Sequence, residues 1–151
     1  LPAKSLNQTQ IKRLEEIVEK SCSKMGIHNG PAYLQVKMEN ENPYIIEMTP
    51  RLDGCHMWKL INYGLGINIL KLTFEHLLDN NLSELKKMTG KLSECELEFF
   101  CQTPNSIFNT DEFMIPSDSI EHFFYYNNGD TIRPINGKFE KVGYSIQEVK
   151  K

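Results

Sequence analysis

The sequence predicts an α+β fold: an antiparallel or mixed sheet with flanking helices and a small β-rich tail. Three observations lead there. Apolar residues recur at helical spacing over 7–25, two strand-like runs follow between 32 and 48, and short alternating or aromatic runs fill the chain after 94.

The first helix is expected from Asn7 to about Met25. Ile11, Leu14, Ile17, Val18, Cys22 and Met25 recur at the helical period. Asn7 or Thr9 suits the start, because a short polar side chain can accept from the orphan N–H groups of the first turn. Gly26 suits the end, where a left-handed residue often closes a helix.

Gly30 and Pro31 lead into the strand pair. Leu34, Val36 and Met38 alternate with Tyr33, Gln35 and Lys37. Glu39-Asn40-Glu41-Asn42-Pro43 reads as a polar turn. Tyr44-Ile45-Ile46-Glu47-Met48 is apolar enough to predict a strand buried on both faces. Pro50 ends it, since proline cannot donate to a ladder. Helices are then expected over 55–65, broken by Gly64 or Gly66, and over 69–78, closed by Asp79-Asn80-Asn81. Glu94 to Phe99 alternates strictly, with Glu94, Glu96 and Glu98 on a solvated face. Ile120 to Tyr126 reads as an aromatic strand of a β core. The expected division is 1–80 and 81–151.

The chain has 151 residues, 40% hydrophobic and 25% charged, with a formal net charge of -3. That is ordinary globular composition. No basic stripe marks a nucleic-acid partner. No apolar run approaches the roughly 18 residues of a membrane span. Cys22, Cys55, Cys95 and Cys101 lack zinc spacing and read as reduced thiols, which implies the cytoplasm. The chain begins with Leu1 rather than Met, so it is expected to be part of a longer protein.

The chemistry centres on Glu47. Residues two apart in a strand share a face, so Glu47 and Thr49 point the same way, and Arg51 joins them if the extended path continues. A turn symmetric about Glu41 sets Gln35 opposite Glu47, with Cβ atoms roughly 4.5–5.5 Å apart. One carboxylate, two neutral oxygens and a guanidinium suit a magnesium ion and the phosphates that accompany it. The plainer reading is a solvated or structural ion pair between Glu47 and Arg51.

Glu47-Met48-Thr49-Pro50-Arg51 resembles the Glu-x-Asn-Pro-Arg signature of ATP-grasp ligases, in particular the branch of carbamoyl phosphate synthetase large chains and carboxylate–amine ligases. The upstream helix, the strand from Gly30 to Gln35 and the turn from Gly64 to Asn68 are similar to the same family. Lys141 to Ile146 is similar to a strand near the end of such ligases. The resemblance implies the C-terminal lobe of an ATP-grasp domain. It makes Gln35 and Glu47 metal ligands, Thr49 a third in place of the family asparagine, and Arg51 a phosphate contact and catalytic group. The implied cofactors are ATP and Mg2+, with Mn2+ as a substitute. The implied partners are a small carboxylate and an amine, reached through an upstream part that carries the clamping lysines, the lid and the substrate domain. A homodimer is compatible with this reading. The fragment alone is expected to be inactive. The competing reading is a non-catalytic module kept for interaction or ligand sensing.

Asp53, Gly54, Cys55 and His56 are expected on the substrate side of the phosphate site rather than as a cysteine nucleophile with its base. His28, His76 and His122 read as surface or packing residues.

Overall fold

A computed structural model describes residues 5–81 and 93–149. Its elements are α1 (Gln8–Lys24), β1 (Tyr33–Glu39), β2 (Asn42–Thr49), α2 (Met57–Leu65), α3 (Ile69–Asp79), β3 (Cys95–Gln102), β4 (Ser119–Phe124) and β5 (Glu140–Glu148). The chain forms two compact units, Leu1–Leu92 and Ser93–Lys151.

In the first unit, α1 begins with a capping box. The Asn7 side chain accepts from Gln10 N–H and the Gln10 side chain accepts from Asn7 N–H, both at 2.9 Å. Two orphan donors are thereby satisfied reciprocally. The helix ends in a Schellman motif. Gly26 sits at φ +71, with Gly26 N–H donating to Ser23 O (3.1 Å) and Ile27 N–H to Cys22 O (2.8 Å). Ile11, Leu14, Ile17, Val18 and Cys22 form the half-buried face, as the period requires. Met25 departs from it: as the C-cap it is 70% exposed.

The hairpin of β1 and β2 is antiparallel and turns on two residues, Asn40 and Glu41, rather than on the five polar ones. Asn40 takes φ +54, a left-handed conformation that asparagine tolerates. β2 therefore starts at Asn42 and includes Pro43. Leu34, Val36 and Met38 pair with Met48, Ile45 and Pro43 and share one face. α1 packs along β2. The other face is open, so β2 is not buried on both sides: Tyr44 is 52% and Ile46 62% exposed, and Glu47 is exposed.

Gly64 lies buried inside α2 and does not break it; the left-handed Gly66 does. Asn68 caps α3, accepting from Lys71 N–H at 2.9 Å.

The second unit is a three-stranded antiparallel sheet in the order β3-β5-β4. β5 lies in the middle, and Val142, Tyr144, Ser145 and Ile146 are almost wholly buried. Phe100, Phe108, Ile132 and Val142 form the core, with Phe113, Ile115, Phe124 and Tyr126 packed against it. The aromatic run divides by parity. Phe124 and Tyr126 join the core, while Phe123 and Tyr125 remain partly open to solvent. Glu96 and Glu98 are exposed, as their alternation predicts.

Candidate functional site on the β1–β2 hairpin

The open face of the hairpin carries Tyr33, Gln35 and Lys37 from β1. From β2 it carries Thr49, Glu47 and Tyr44, which pair with them in that order. Gln35 is opposite Glu47, but not through a symmetric turn. Pairs near the tip, Lys37 with Tyr44 and Val36 with Ile45, would align Gln35 with Ile46 if the ladder ran on unbroken. The register shifts by one residue there, leaving Ile46 as an extra residue in β2. This bulge carries Glu47 onto the face of Gln35.

Thr49 Oγ1 donates to Glu47 Oε1 at 3.3 Å. The hydroxyl proton is thus directed to the carboxylate, and the threonine oxygen keeps its lone pairs for another ligand. Beyond Thr49 the chain bends, with Arg51 N–H donating to Thr49 O at 2.9 Å. The guanidinium then lies over the Tyr33 ring, its carbon 5.7 Å from the centroid, and Nη1 donates to Leu52 O at 2.8 Å. Four of the five residues of this cluster were named from the sequence. Tyr33 was missed, although its place on the face of Gln35 follows from parity alone.

Glu47 and Arg51 do not pair with each other. Elsewhere in this unit Arg13 pairs with Glu41 (3.3 Å) and Lys71 with Glu75 (3.5 Å). Glu47 holds only the threonine bond, and Gln35 makes no hydrogen bond with its side chain among them. The structural ion pair is therefore not formed. An unpaired carboxylate, an unengaged amide and a guanidinium with most of its N–H groups available share one exposed face. The donor set fits a hard cation, being all oxygen with a single charge. It is not a cluster of carboxylates or imidazoles; no group of three or more His, Cys, Asp or Glu that could hold a metal occurs among the described residues.

The loop after Arg51 is conformationally strained. Cys55 and His56 adopt φ +54 and +58 in succession just before α2. Each such non-glycine residue costs about 1–3 kcal/mol. Asp53 is half-buried and Cys55 exposed.

Solved structures share this architecture. A phosphoribosylglycinamide synthetase from Anaerococcus prevotii matches with a TM-score of 0.77 and 17% identity over 100% of this chain and 39% of that one. An L-amino acid ligase from Bacillus licheniformis matches with a TM-score of 0.76 and 20% identity over 99% of this chain and 40% of that one. The chain has the ATP-grasp fold of these two structures. At these identities the likeness is one of fold, and the chain spans about two fifths of the length of either structure. No family model and no curated protein matches the sequence. None of the described helices is long and apolar enough to cross a membrane.

Proposed function

We propose that this chain supplies the magnesium- and phosphate-binding strands of an ATP-dependent carboxylate–amine ligase. One observation carries the reading: Gln35, Glu47, Thr49 and Arg51 share one exposed hairpin face, and the acid and the base on it are not joined to each other. Support also comes from the ATP-grasp fold.

Glu47 and Gln35 would hold the metal through the carboxylate and the amide oxygen, with Thr49 as a weaker third oxygen. Bound magnesium supplies neutralisation of phosphate charge. Arg51 presents a fork that matches a phosphoryl group and counters charge on it during transfer. Tyr33 holds that fork on the same face by a cation–π contact. The carboxylate and amine substrates would be bound with residues outside this chain, so the 151-residue chain alone neither hydrolyses ATP nor ligates.

The test is paramagnetic broadening of the amide spectrum by Mn2+ with pyrophosphate. Signals of Gln35, Glu47, Thr49 and Arg51 should broaden first, and Glu47→Gln should remove the effect. Broadening centred instead on the exposed Glu96 and Glu98 would sink the assignment.

A further inference from the structure

Asparagine precedes glycine at three places, Asn29-Gly30, Asn128-Gly129 and Asn136-Gly137. Glycine has no Cβ to shield its nitrogen, so that nitrogen can attack the preceding asparagine Cγ and close a cyclic imide. All three glycines take positive φ (+87, +92 and +120), and a Cβ placed on any of them would meet nothing within 4 Å. Room for the ring therefore does not separate the three steps. Their hydrogen bonds do.

Asn128 is pinned across its loop. Its Oδ1 accepts from Thr110 N–H at 2.8 Å, and its Nδ2 donates to Thr110 Oγ1 at 3.2 Å. The attacking nitrogen is engaged too, with Gly129 N–H donating to Phe108 O at 2.9 Å. Asn136 is held by the buried Glu140. Asn136 Nδ2 donates to Glu140 Oε2 at 2.8 Å, and Gly137 N–H donates to Glu140 Oε1 at 3.3 Å. At both places the amide and the nitrogen that would attack it are tied to other groups. Those bonds must open before the ring can close, and each one lowers the population of the open form.

Asn29 differs. It is exposed in the connection between α1 and β1. Neither its side chain nor Gly30 N–H makes a hydrogen bond among the described residues.

We propose that Asn29 is a site of spontaneous deamidation in the folded protein, and that Asn128 and Asn136 are shielded by their bonds. Gly30 N gives its proton to solvent base and attacks Asn29 Cγ. The N–Cγ bond forms, the Cγ–Nδ2 bond breaks, and Nδ2 departs with a proton from water as ammonia. Water then opens the cyclic imide at either carbonyl. Opening at Cγ leaves aspartate. Opening at the backbone carbon leaves isoaspartate, with the main chain now running through Cβ and Cγ. Either product adds a negative charge to a residue that lines a cleft of ≈520 Å³ together with Pro31, Leu52 and Leu72.

The 151-residue chain is aged in mildly alkaline buffer, with and without denaturing urea, and the three sites are followed by peptide mapping with mass spectrometry. In the folded chain Asn29 should convert at least about tenfold faster than Asn128 and Asn136. In urea the three rates should draw together, with Asn128 and Asn136 rising towards Asn29. Conversion of Asn128 or Asn136 as fast as Asn29 in the folded chain overturns the proposal. So does an Asn29 that stays intact in the folded chain while it converts in urea. A rate ratio that urea leaves unchanged overturns it as well, since the cause would then be the neighbouring residues and not the bonds.

Discussion

Gln35 lies opposite Glu47 because Ile46 is an extra residue in β2. Without the bulge, Glu47 would face Leu34 on the apolar side of the hairpin. A one-residue slip moves every side chain beyond it to the other face. Deleting Ile46 should therefore leave Gln35 opposite Glu47, since Ile45 already pairs with Val36 and the ladder simply closes. Cross-strand contacts between Gln35 and Glu47 in nuclear Overhauser spectra should survive the deletion. Their replacement by Gln35–Met48 contacts would show that the register is held by something else.

In a ligase that includes this chain, the proposed face should respond unequally to two substitutions. Glu47→Gln removes the single carboxylate of the cluster and should raise the barrier to phosphoryl transfer by about 2.7–4 kcal/mol, the range for losing one electrostatic stabiliser. Thr49→Asn exchanges a hydroxyl for an amide oxygen and should lower the magnesium concentration needed for activity. ATP turnover measured against magnesium in both variants decides this; unchanged curves in both would remove the hairpin from the metal site.

Glu140 should make the second unit acid-sensitive. The residue is 2% exposed. Its carboxylate accepts from Ile135 N–H (2.6 Å), Asn136 N–H (2.5 Å), Gly137 N–H (3.3 Å) and Asn136 Nδ2 (2.8 Å). Burial pushes the carboxyl upward, but the backbone bonds from Asn136 and Ile135 and the Asn136 side chain outweigh it, so the pKa lies below the usual carboxylate value. A depressed pKa in the folded state contributes stability above the ordinary carboxylate range, lost as the pH falls through the folded value. Glu140→Gln should lower the melting temperature at neutral pH, and the gap from wild type should narrow on acidification. A gap constant from neutral pH to well below the carboxylate range would contradict it.

Gly143 admits no side chain. A Cβ there would stand 2.5 Å from Phe123 O and 2.7 Å from Phe124 Cδ1. The first is backbone of the neighbouring strand and cannot rotate away. Gly143→Ala should cost about 1–3 kcal/mol, as overpacking of a filled core does. Thermal unfolding of wild type and variant measures it, and equal stability would mean β4 shifts freely.

Much of this was legible in the sequence. Asn7, the apolar period after it and Gly26 located α1, because capping and periodicity are local. That Gln35, Glu47 and Thr49 share one face was legible from strand parity. The bulge was not, since one extra residue leaves no compositional mark within Ile45-Ile46. Its location depends on pairing with β1 and on which face α1 covers. The same holds for His76, which reads as an isolated residue until the fold brings it to a cleft that Ile27 and Leu52 also line. Glu140 acquires its role from a loop whose N–H groups converge only after β5 is in place.

One tertiary tie has a consequence for how the protein is made. Gln10 Nε2 donates to Asn40 O at 2.6 Å, and Arg13 Nη1 donates to Glu41 O (3.2 Å) and Asn42 Oδ1 (3.0 Å). A lone two-stranded hairpin is marginal in water. Here its tip docks onto the first turns of α1, a segment that leaves the ribosome earlier. During synthesis the residues of α1 are available before β1 and β2 emerge, so helix and hairpin, each marginal alone, can stabilise one another once Glu47 and Thr49 clear the exit tunnel.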